Sequence, residues 1–207
     1  MEEVLSAASY EFDLHGRCKR LLTTKATHIR LFSATYDKKW RPVMVTIFKE
    51  LKTEDDLIEC THVIRVSFKT VAEEFGLTAE NAPSHPSNMT YEKLRGSIDR
   101  GLKLFGLVCR NEIIGCVGIE RSGDEGCYYI ERVSVLPEFR HKGLGTMLLD
   151  FACGFIRDQK GKKASLTMIN NHNILKEWYR KYGFIETQIK TFDHLPFDVC
   201  FMEKDLL

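Results

Sequence analysis

Two glycines separated by one residue stand at the start of an apolar helical pattern, in the segment Arg140-His141-Lys142-Gly143-Leu144-Gly145. Glycines let backbone N–H groups converge because no Cβ atoms stand in the way. The first N–H groups of a helix have no intrahelical acceptor and lie at the positive end of its dipole, so they favour an anion. Arg140 adds a cation that can pair with phosphate oxygens. By itself, this pattern fits an anion-binding turn and a glycine-rich helix start that binds nothing equally well.

The spacing excludes two common nucleotide-binding loops. The Gly-x-Gly-x-x-Gly fingerprint of dinucleotide-binding folds needs a third glycine at position 148, which is Leu148. A P-loop needs Gly-Lys-Ser/Thr after four spacer residues, whereas Lys142 precedes Gly143 here. An anion at this turn would therefore be bound by another type of loop.

The elements that must position this turn follow from hydrophobic periodicity and turn residues. Strands are predicted at 43–51, 104–109, 113–119, 127–136, 164–170, 184–192 and 198–206. A helix is predicted after Thr53 and ends at Gly76, a short helix covers 91–101, and two more helices follow the glycine turn and precede Gly183. This order predicts an α+β domain with a mixed, largely antiparallel sheet flanked by helices.

The end of one strand and the start of the next helix carry a recognisable motif. Val135-Leu136-Pro137 followed by Arg140-x-x-Gly143-x-Gly145 resembles the acetyl-CoA motif of the GNAT superfamily of N-acetyltransferases, Arg/Gln-x-x-Gly-x-Gly/Ala after a strand ending in Val-x-Pro. The second family signature is a helical tyrosine four residues before Gly-Phe, and Tyr179 precedes Gly183-Phe184 by that spacing. The resemblance covers residues 43–207 and implies the GNAT-like acyl-CoA fold.

The resemblance implies acetyl-CoA as a cosubstrate and assigns its contacts residue by residue. The pyrophosphate would be bound by the backbone N–H groups of the turn, with Arg140 beside them, from His141, Lys142, Gly143, Leu144, Gly145 and Thr146. The pantetheine arm would lie along Val133, Ser134 and Val135 like an added strand. A backbone N–H near Ser134 would stabilise the oxyanion.

Acetyl transfer to an amine also needs a base, because an amine with a pKa near roughly 10 is mostly protonated at neutral pH. Period-two alternation predicts Tyr129, Glu131, Val133 and Val135 on one face, so Glu131 is the favoured base, with a structural salt bridge as the equal alternative. Glu120 or water is the reserve. Tyr179 is the predicted acid for the leaving thiolate; by contrast, Trp178 and Tyr182 are predicted to be core residues.

The sequence departs from the family pattern at one position. The family often has an asparagine seven residues before the tyrosine, where it contacts the cofactor arm, but position 172 is a histidine. Either Asn173 or His172 could fill that role.

The composition limits which classes of partner and cellular compartment are compatible with this chain. Charged residues make up 29% and the net charge is only +1, which argues against nucleic acid as a partner. Seven scattered cysteines without a CxxC pair indicate a reducing compartment and no metal site. The acidic N-terminus and the lack of a long apolar run predict a cytoplasmic protein with no membrane partner.

Residues 1–42 are predicted to be an N-terminal extension of unclear structure before the domain at 43–207. They carry eight Lys/Arg and five Asp/Glu, a net charge of +3, so a nucleic-acid arm is a minority interpretation.

The leading hypothesis is an acetyl-CoA-dependent N-acetyltransferase that transfers an acetyl group directly to a primary amine of a small molecule or peptide. The alternatives are a non-catalytic acetyl-CoA-binding regulatory module and, resting only on the arm, an RNA-binding protein. The acceptor is not identified, but its site is expected at the 79–90 loop and the last hairpin, with His85, Asn88, Asp193 and His194 as polar candidates. The sequence leaves a homodimer open.

Overall fold

The longest helix, α1 (Glu54–Phe75), begins and ends where its capping residues predict. The hydroxyl of Thr53 accepts a hydrogen bond from the backbone N–H of Asp56, and the Asp56 carboxylate reaches back to the Thr53 N–H, which forms a capping box. Gly76 adopts a left-handed conformation (φ 63°) and closes the last turn. The local sequence therefore sets both ends of this helix.

The structure is a computed structural model, and it describes residues 9–12, 18–21 and 46–206. The other helices are α2 (Tyr91–Asp99), α3 (Leu144–Asp158) and α4 (Asn173–Tyr182), with 3-10 turns at Pro86–Asn88 and Pro137–Phe139. The strands are β1 (Ser9–Phe12), β2 (Cys18–Leu21), β3 (Thr46–Glu50), β4 (Lys103–Cys109), β5 (Glu112–Arg121), β6 (Cys127–Val135), β7 (Lys163–Ile169), β8 (Ile185–Lys190) and β9 (Val199–Asp205).

Seven strands form one mixed sheet in the order β3-β4-β5-β6-β7-β9-β8. Every neighbouring pair is antiparallel except β6 and β7, which are parallel and connected through α3. The predicted α+β fold is confirmed. The helix before β7 ends at Asp158, and the turn after it passes close to Tyr128 at Gly161, where the ring lies 2.8 Å from where a Cβ would be.

The two faces of the sheet carry separate apolar clusters. The cluster under α3 and α4 includes Leu148, Ile156, Leu166 and Met202. The cluster under α1 and α2 includes Leu57, Ile64, Leu94, Leu104 and Cys116. The sheet is therefore the middle layer of a three-layer domain.

The N-terminal extension is described only as a small two-stranded sheet. In it β1 and β2 pair antiparallel, with Ser9 opposite Leu21 and Phe12 opposite Cys18. The rest of residues 1–45 lies outside the described residues, and the domain boundary near residue 43 stays a prediction.

Candidate active site

Six consecutive backbone N–H groups, those of residues 141–146, have no hydrogen-bond acceptor within the described part of the chain. Two residues of this turn are left-handed, His141 at φ 60° and Gly143 at φ 79°. Successive N–H groups in such turns form concave anion sites. Because α3 begins at Leu144, three of these donors belong to its first turn, where an anion is also favoured by the helix dipole.

The neighbouring strands β6 and β7 separate immediately beside this turn. Tyr129 with Ser165 is their last paired position, so residues 130–135 of β6 and 166–169 of β7 form no ladder with each other. We call this opening the β6–β7 wedge. The N–H of Leu136 donates to Ile114 on β5 at 3.0 Å, so alternation directs the N–H of Val135 into the wedge. The wedge thus exposes an unpaired edge of β6 that leads to the turn at residues 141–146, which we call the donor-rich turn.

Arg140 does not extend into the turn in this structure. Its guanidinium donates to the backbone carbonyl of Ser67 at 2.6 Å, to the hydroxyl of Thr70 at 3.1 Å and to the carbonyl of Val135 at 3.2 Å. Partial burial lowers the pKa of Arg140 from its usual range. Arg140 therefore connects α1 to the end of β6 and holds the turn between them.

The predicted alternation along β6 is wrong. Between Cys116 and Gly118 of β5 the register shifts, so that Gly118 pairs with Glu131 and Cys116 pairs with Ser134. The extra residue forms a β-bulge at Arg132, which is left-handed at φ 53°. Glu131 consequently shares a face with Ser134.

Val133 and Val135 pack against the cluster under α3 and α4, on the other face from Glu131. The side chain of Ser134 is also unavailable, since the residue is 1% exposed and its hydroxyl donates to the Arg132 carbonyl at 2.9 Å. Any contact of Ser134 with a ligand would therefore have to come from the backbone of this stretch.

Glu131, the favoured base, forms an ion pair with its neighbour Arg132 at 2.5 Å. The carboxylate side chain is 38% exposed and the Arg132 side chain is 14% exposed. The same guanidinium donates to the hydroxyl of Ser97 on α2 at 3.0 Å. Glu120 lies on the same face of the sheet, opposite Tyr129, and forms no ion pair among the described residues. Glu131 and Glu120 thus lie on one face of the sheet, and the ion pair with Arg132 fixes the carboxylate of Glu131.

Tyr179 lies on the inner face of α4 and is 7% exposed. Its ring packs edge-on against Phe184 with centroids 5.7 Å apart, and its hydroxyl has no hydrogen-bond partner within the described residues. Burial raises the pKa of Tyr179 well above its usual value. The phenol therefore stays protonated at neutral pH and can donate a hydrogen bond.

The two other aromatic residues of α4 have structural contacts. Tyr182 donates to the Asp150 carboxylate on α3 at 2.7 Å, and Trp178 packs partly buried against the same cluster as Tyr179. The Trp178 ring lies 3.2 Å from where a Cβ of Gly145 would be, so it supports the underside of the turn. Their prediction as packing residues is confirmed.

Near position 172, where the family often has an asparagine, the structure contains a side-chain contact that the sequence spacing did not predict. His172 precedes α4 and its ring packs against Phe75 of α1, with centroids 5.6 Å apart, while Asn173 begins the helix and is exposed. Asn170, at the end of β7, accepts a hydrogen bond from the buried ammonium of Lys176 at 2.5 Å. Asn170 is therefore the asparagine that the fold holds in a fixed orientation.

The polar candidates in the loops mainly contact their own loops. His85 is 9% exposed, its Nδ1 lies 2.8 Å from the hydroxyl of Ser87, and burial lowers its pKa. The amide of Asn88 donates to backbone carbonyls of the same loop, and the His194 ring packs against Phe192. These contacts give the loop side chains a structural role.

Among the described residues, no helix has the length and apolarity needed to span a bilayer. The same part of the chain brings no three His, Cys, Asp or Glu side chains together as a metal site.

Part of the chain matches a known protein family. Residues 102–186, which include β4 to α4, the donor-rich turn and Tyr179, match the family model "Acetyltransferase (GNAT) domain". A search of curated protein sequences finds no match.

Solved structures share the fold at low sequence identity. PaiA N-acetyltransferase from Thermoplasma acidophilum, solved in complex with coenzyme A, is 21% identical over 78% of this chain and 99% of its own, with a TM-score of 0.62. A putative GNAT-family acetyltransferase from Desulfovibrio desulfuricans is 17% identical over 79% and 100%, with a TM-score of 0.63. The ribosomal-protein-S18-alanine N-acetyltransferase from Escherichia coli is 14% identical over 78% and 94%, with a TM-score of 0.62. Residues 102–186 thus match a GNAT acetyltransferase domain, and the order of elements in the described chain is the fold of these acetyltransferase structures.

Proposed function

We propose that the protein is an acetyl-CoA-dependent N-acetyltransferase that transfers the acetyl group directly to a primary amine of a small molecule or peptide. The observation that carries the proposal is the run of six unpaired N–H groups at residues 141–146, at the mouth of the β6–β7 wedge. A pyrophosphate supplies acceptors for these donors, and an extended amide-containing arm supplies a partner for the free edge of β6. A related structure was solved with coenzyme A, which supports the same ligand class.

In this proposal the chain contributes orientation and charge, and acetyl-CoA supplies the activated acyl group. The amine nitrogen forms a bond to the thioester carbon, and the C–S bond breaks. Backbone N–H groups near Ser134 stabilise the oxyanion of the tetrahedral intermediate, because fixed donors cost no reorganisation during the reaction.

Two protons have to move. The ammonium proton of the acceptor goes to Glu131, directly or through water, with Glu120 as the reserve on the same face. The Arg132 ion pair holds the Glu131 carboxylate in a fixed position on this face. The departing thiolate takes its proton from Tyr179, whose hydroxyl has no other hydrogen-bond partner among the described residues. The tyrosinate then recovers a proton from the attacking nitrogen, which must lose a second proton to become the amide, and burial keeps the phenol protonated between turnovers.

The function is tested in two steps with the full chain. Calorimetry with coenzyme A should show binding, and thiol release from acetyl-CoA should then depend on an added primary amine from a panel of small amines and peptides. Binding without turnover across the panel would favour the non-catalytic regulatory module, and no binding would overturn the proposal. Repeating both measurements on residues 43–207 tests whether the N-terminal extension is needed.

A further inference from the structure

Among the described residues, only Ser67 has a side-chain oxygen or nitrogen that is fully shielded from solvent and lacks a hydrogen-bond partner. The residue lies on α1 and is 5% exposed, so its hydroxyl has lost water without gaining a protein acceptor or donor. A buried hydroxyl in that state destabilises the fold, because its lost hydration is not replaced by a hydrogen bond. Such a group calls for an explanation, and a ligand absent from the structure is one.

The position of Ser67 along α1 is the second observation. On one side, Ile64 and Phe68 belong to the cluster that covers β4 and β5 and reaches Leu136, the residue after β6. On the other side, Val71 and Ala72 belong to a third cluster that contains Ile169 at the end of β7. Ser67 therefore lies where α1 crosses from β6 to β7, over the β6–β7 wedge.

Arg140 fixes this crossing in place. It binds the backbone carbonyl of Ser67 at 2.6 Å and the carbonyl of Val135 at 3.2 Å, so the helix and the end of β6 are joined by one guanidinium. On the β7 side, the ring of Phe75 contacts the ring of His172. Contacts on the β6 side and on the β7 side thus hold the segment of α1 around Ser67 over the wedge.

We propose that the hydroxyl of Ser67 hydrogen-bonds the pantetheine arm of coenzyme A inside the β6–β7 wedge. The arm carries amide and hydroxyl groups that match a serine hydroxyl, which can both donate and accept. This inference rests on the proposed function, since it concerns the same ligand. It adds a binding residue from α1, outside both sequence motifs and outside residues 102–186.

The test compares Ser67→Ala with Thr61→Val in the full chain. Thr61 is also a buried hydroxyl residue on α1, but its hydroxyl donates to the Leu57 carbonyl at 2.7 Å. Calorimetry should show that S67A weakens coenzyme A binding by about 3- to 10-fold, as for the loss of one hydrogen bond, and that T61V binds like wild type. Adenosine 3′,5′-diphosphate, which lacks the arm, should bind wild type and S67A equally.

The melting temperature of the ligand-free protein gives a readout independent of binding. Because S67A removes an unpaired buried hydroxyl, its melting temperature should be at least that of the wild type. A melting temperature several degrees lower would mean that the hydroxyl has a partner in the free protein, and would overturn the inference. Ser67→Cys is a second variant that should weaken coenzyme A binding in the same direction, because a thiol is a weak hydrogen-bonding group of similar size.

The binding outcomes separate this inference from the proposed function. Wild-type affinity of S67A for coenzyme A overturns the inference alone. An equal loss of affinity for adenosine 3′,5′-diphosphate also overturns it, because the effect would then act through Arg140 and the turn. A wild-type chain that does not bind coenzyme A overturns the proposed function and the inference with it.

Discussion

Glu131 and Arg132 are neighbours on strand β6, yet the carboxylate of the first binds the guanidinium of the second at 2.5 Å. Adjacent residues of a regular strand point to opposite faces. Here Arg132 is left-handed at φ 53° and forms a β-bulge, which brings the two side chains together. The guanidinium also binds Ser97, so the bulge fixes the carboxylate relative to α2.

The first prediction follows from that fixed carboxylate. If Glu131 accepts the ammonium proton, Glu131→Gln should lower kcat/KM by roughly 10²–10⁴, because the amide cannot accept the proton. Glu120→Gln should stay near wild type. The measurement is thiol release with an amine that the wild type accepts. A large loss of kcat/KM in the Glu120 variant alone would make Glu120 the base in place of Glu131. Wild-type rates in both variants would assign the base to water.

The second prediction concerns Gly143. Gly143→Val should abolish binding of coenzyme A, since a branched side chain would occupy the space in front of the N–H groups of residues 141–146. A Cβ at Gly143 meets no atom within 4 Å, so the folded chain itself has room for it, apart from the strain of φ 79°. Gly101 is the matched control, with φ 115° and equally open space at the turn before β4. Gly101→Val should destabilise comparably and bind like wild type, as measured by calorimetry and thermal melting.

The third prediction concerns the hydroxyl of Tyr179. Tyr179→Phe keeps the ring contact with Phe184 and removes only the donor, so turnover should fall by roughly 10²–10⁴ while coenzyme A affinity changes little. The opposing view is that a thiolate whose thiol has a pKa near roughly 8.5 leaves unaided. A full rate at saturating acetyl-CoA, with an amine for which chemistry limits the rate, would remove Tyr179 from the mechanism.

The fourth prediction uses the burial of the same phenol. Burial raises the pKa of Tyr179 in the folded state above its value of about 10 in the unfolded chain. Below that pH both states keep the proton. Above it the unfolded state binds fewer protons than the folded state, so the free energy of unfolding falls as pH rises.

Urea unfolding of wild type and Tyr179→Phe between pH 9 and 11.5 measures this effect as a difference. The wild type should lose up to about 1.4 kcal/mol per pH unit more than the variant above pH 10. Tyr182 also has a raised pKa, from burial and its bond to Asp150, but it is present in both proteins and cancels. Parallel pH profiles would mean that the phenol is hydrated in the folded state.

Local sequence patterns by themselves determined the elements and the donor-rich turn. Thr53 and Gly76 predict the ends of α1 because capping involves only residues within one helical turn. The glycine spacing at Gly143 and Gly145 likewise predicts the turn, since backbone freedom is a property of the residue itself. The spacing of Tyr179 to Gly183 is equally local and identified the second motif.

The tertiary structure decided which side chains share a face and which groups lack partners. Strict alternation placed Glu131 with Val133, but the pairing with β5 inserts a bulge at Arg132, and strand register depends on a partner that the strand's own sequence does not contain. The burial of Ser67 without a partner and the reach of Arg140 to α1 depend on contacts more than sixty residues apart in the chain. Periodicity reports only neighbours along the chain, so these relationships could appear only once the helices were packed on the sheet.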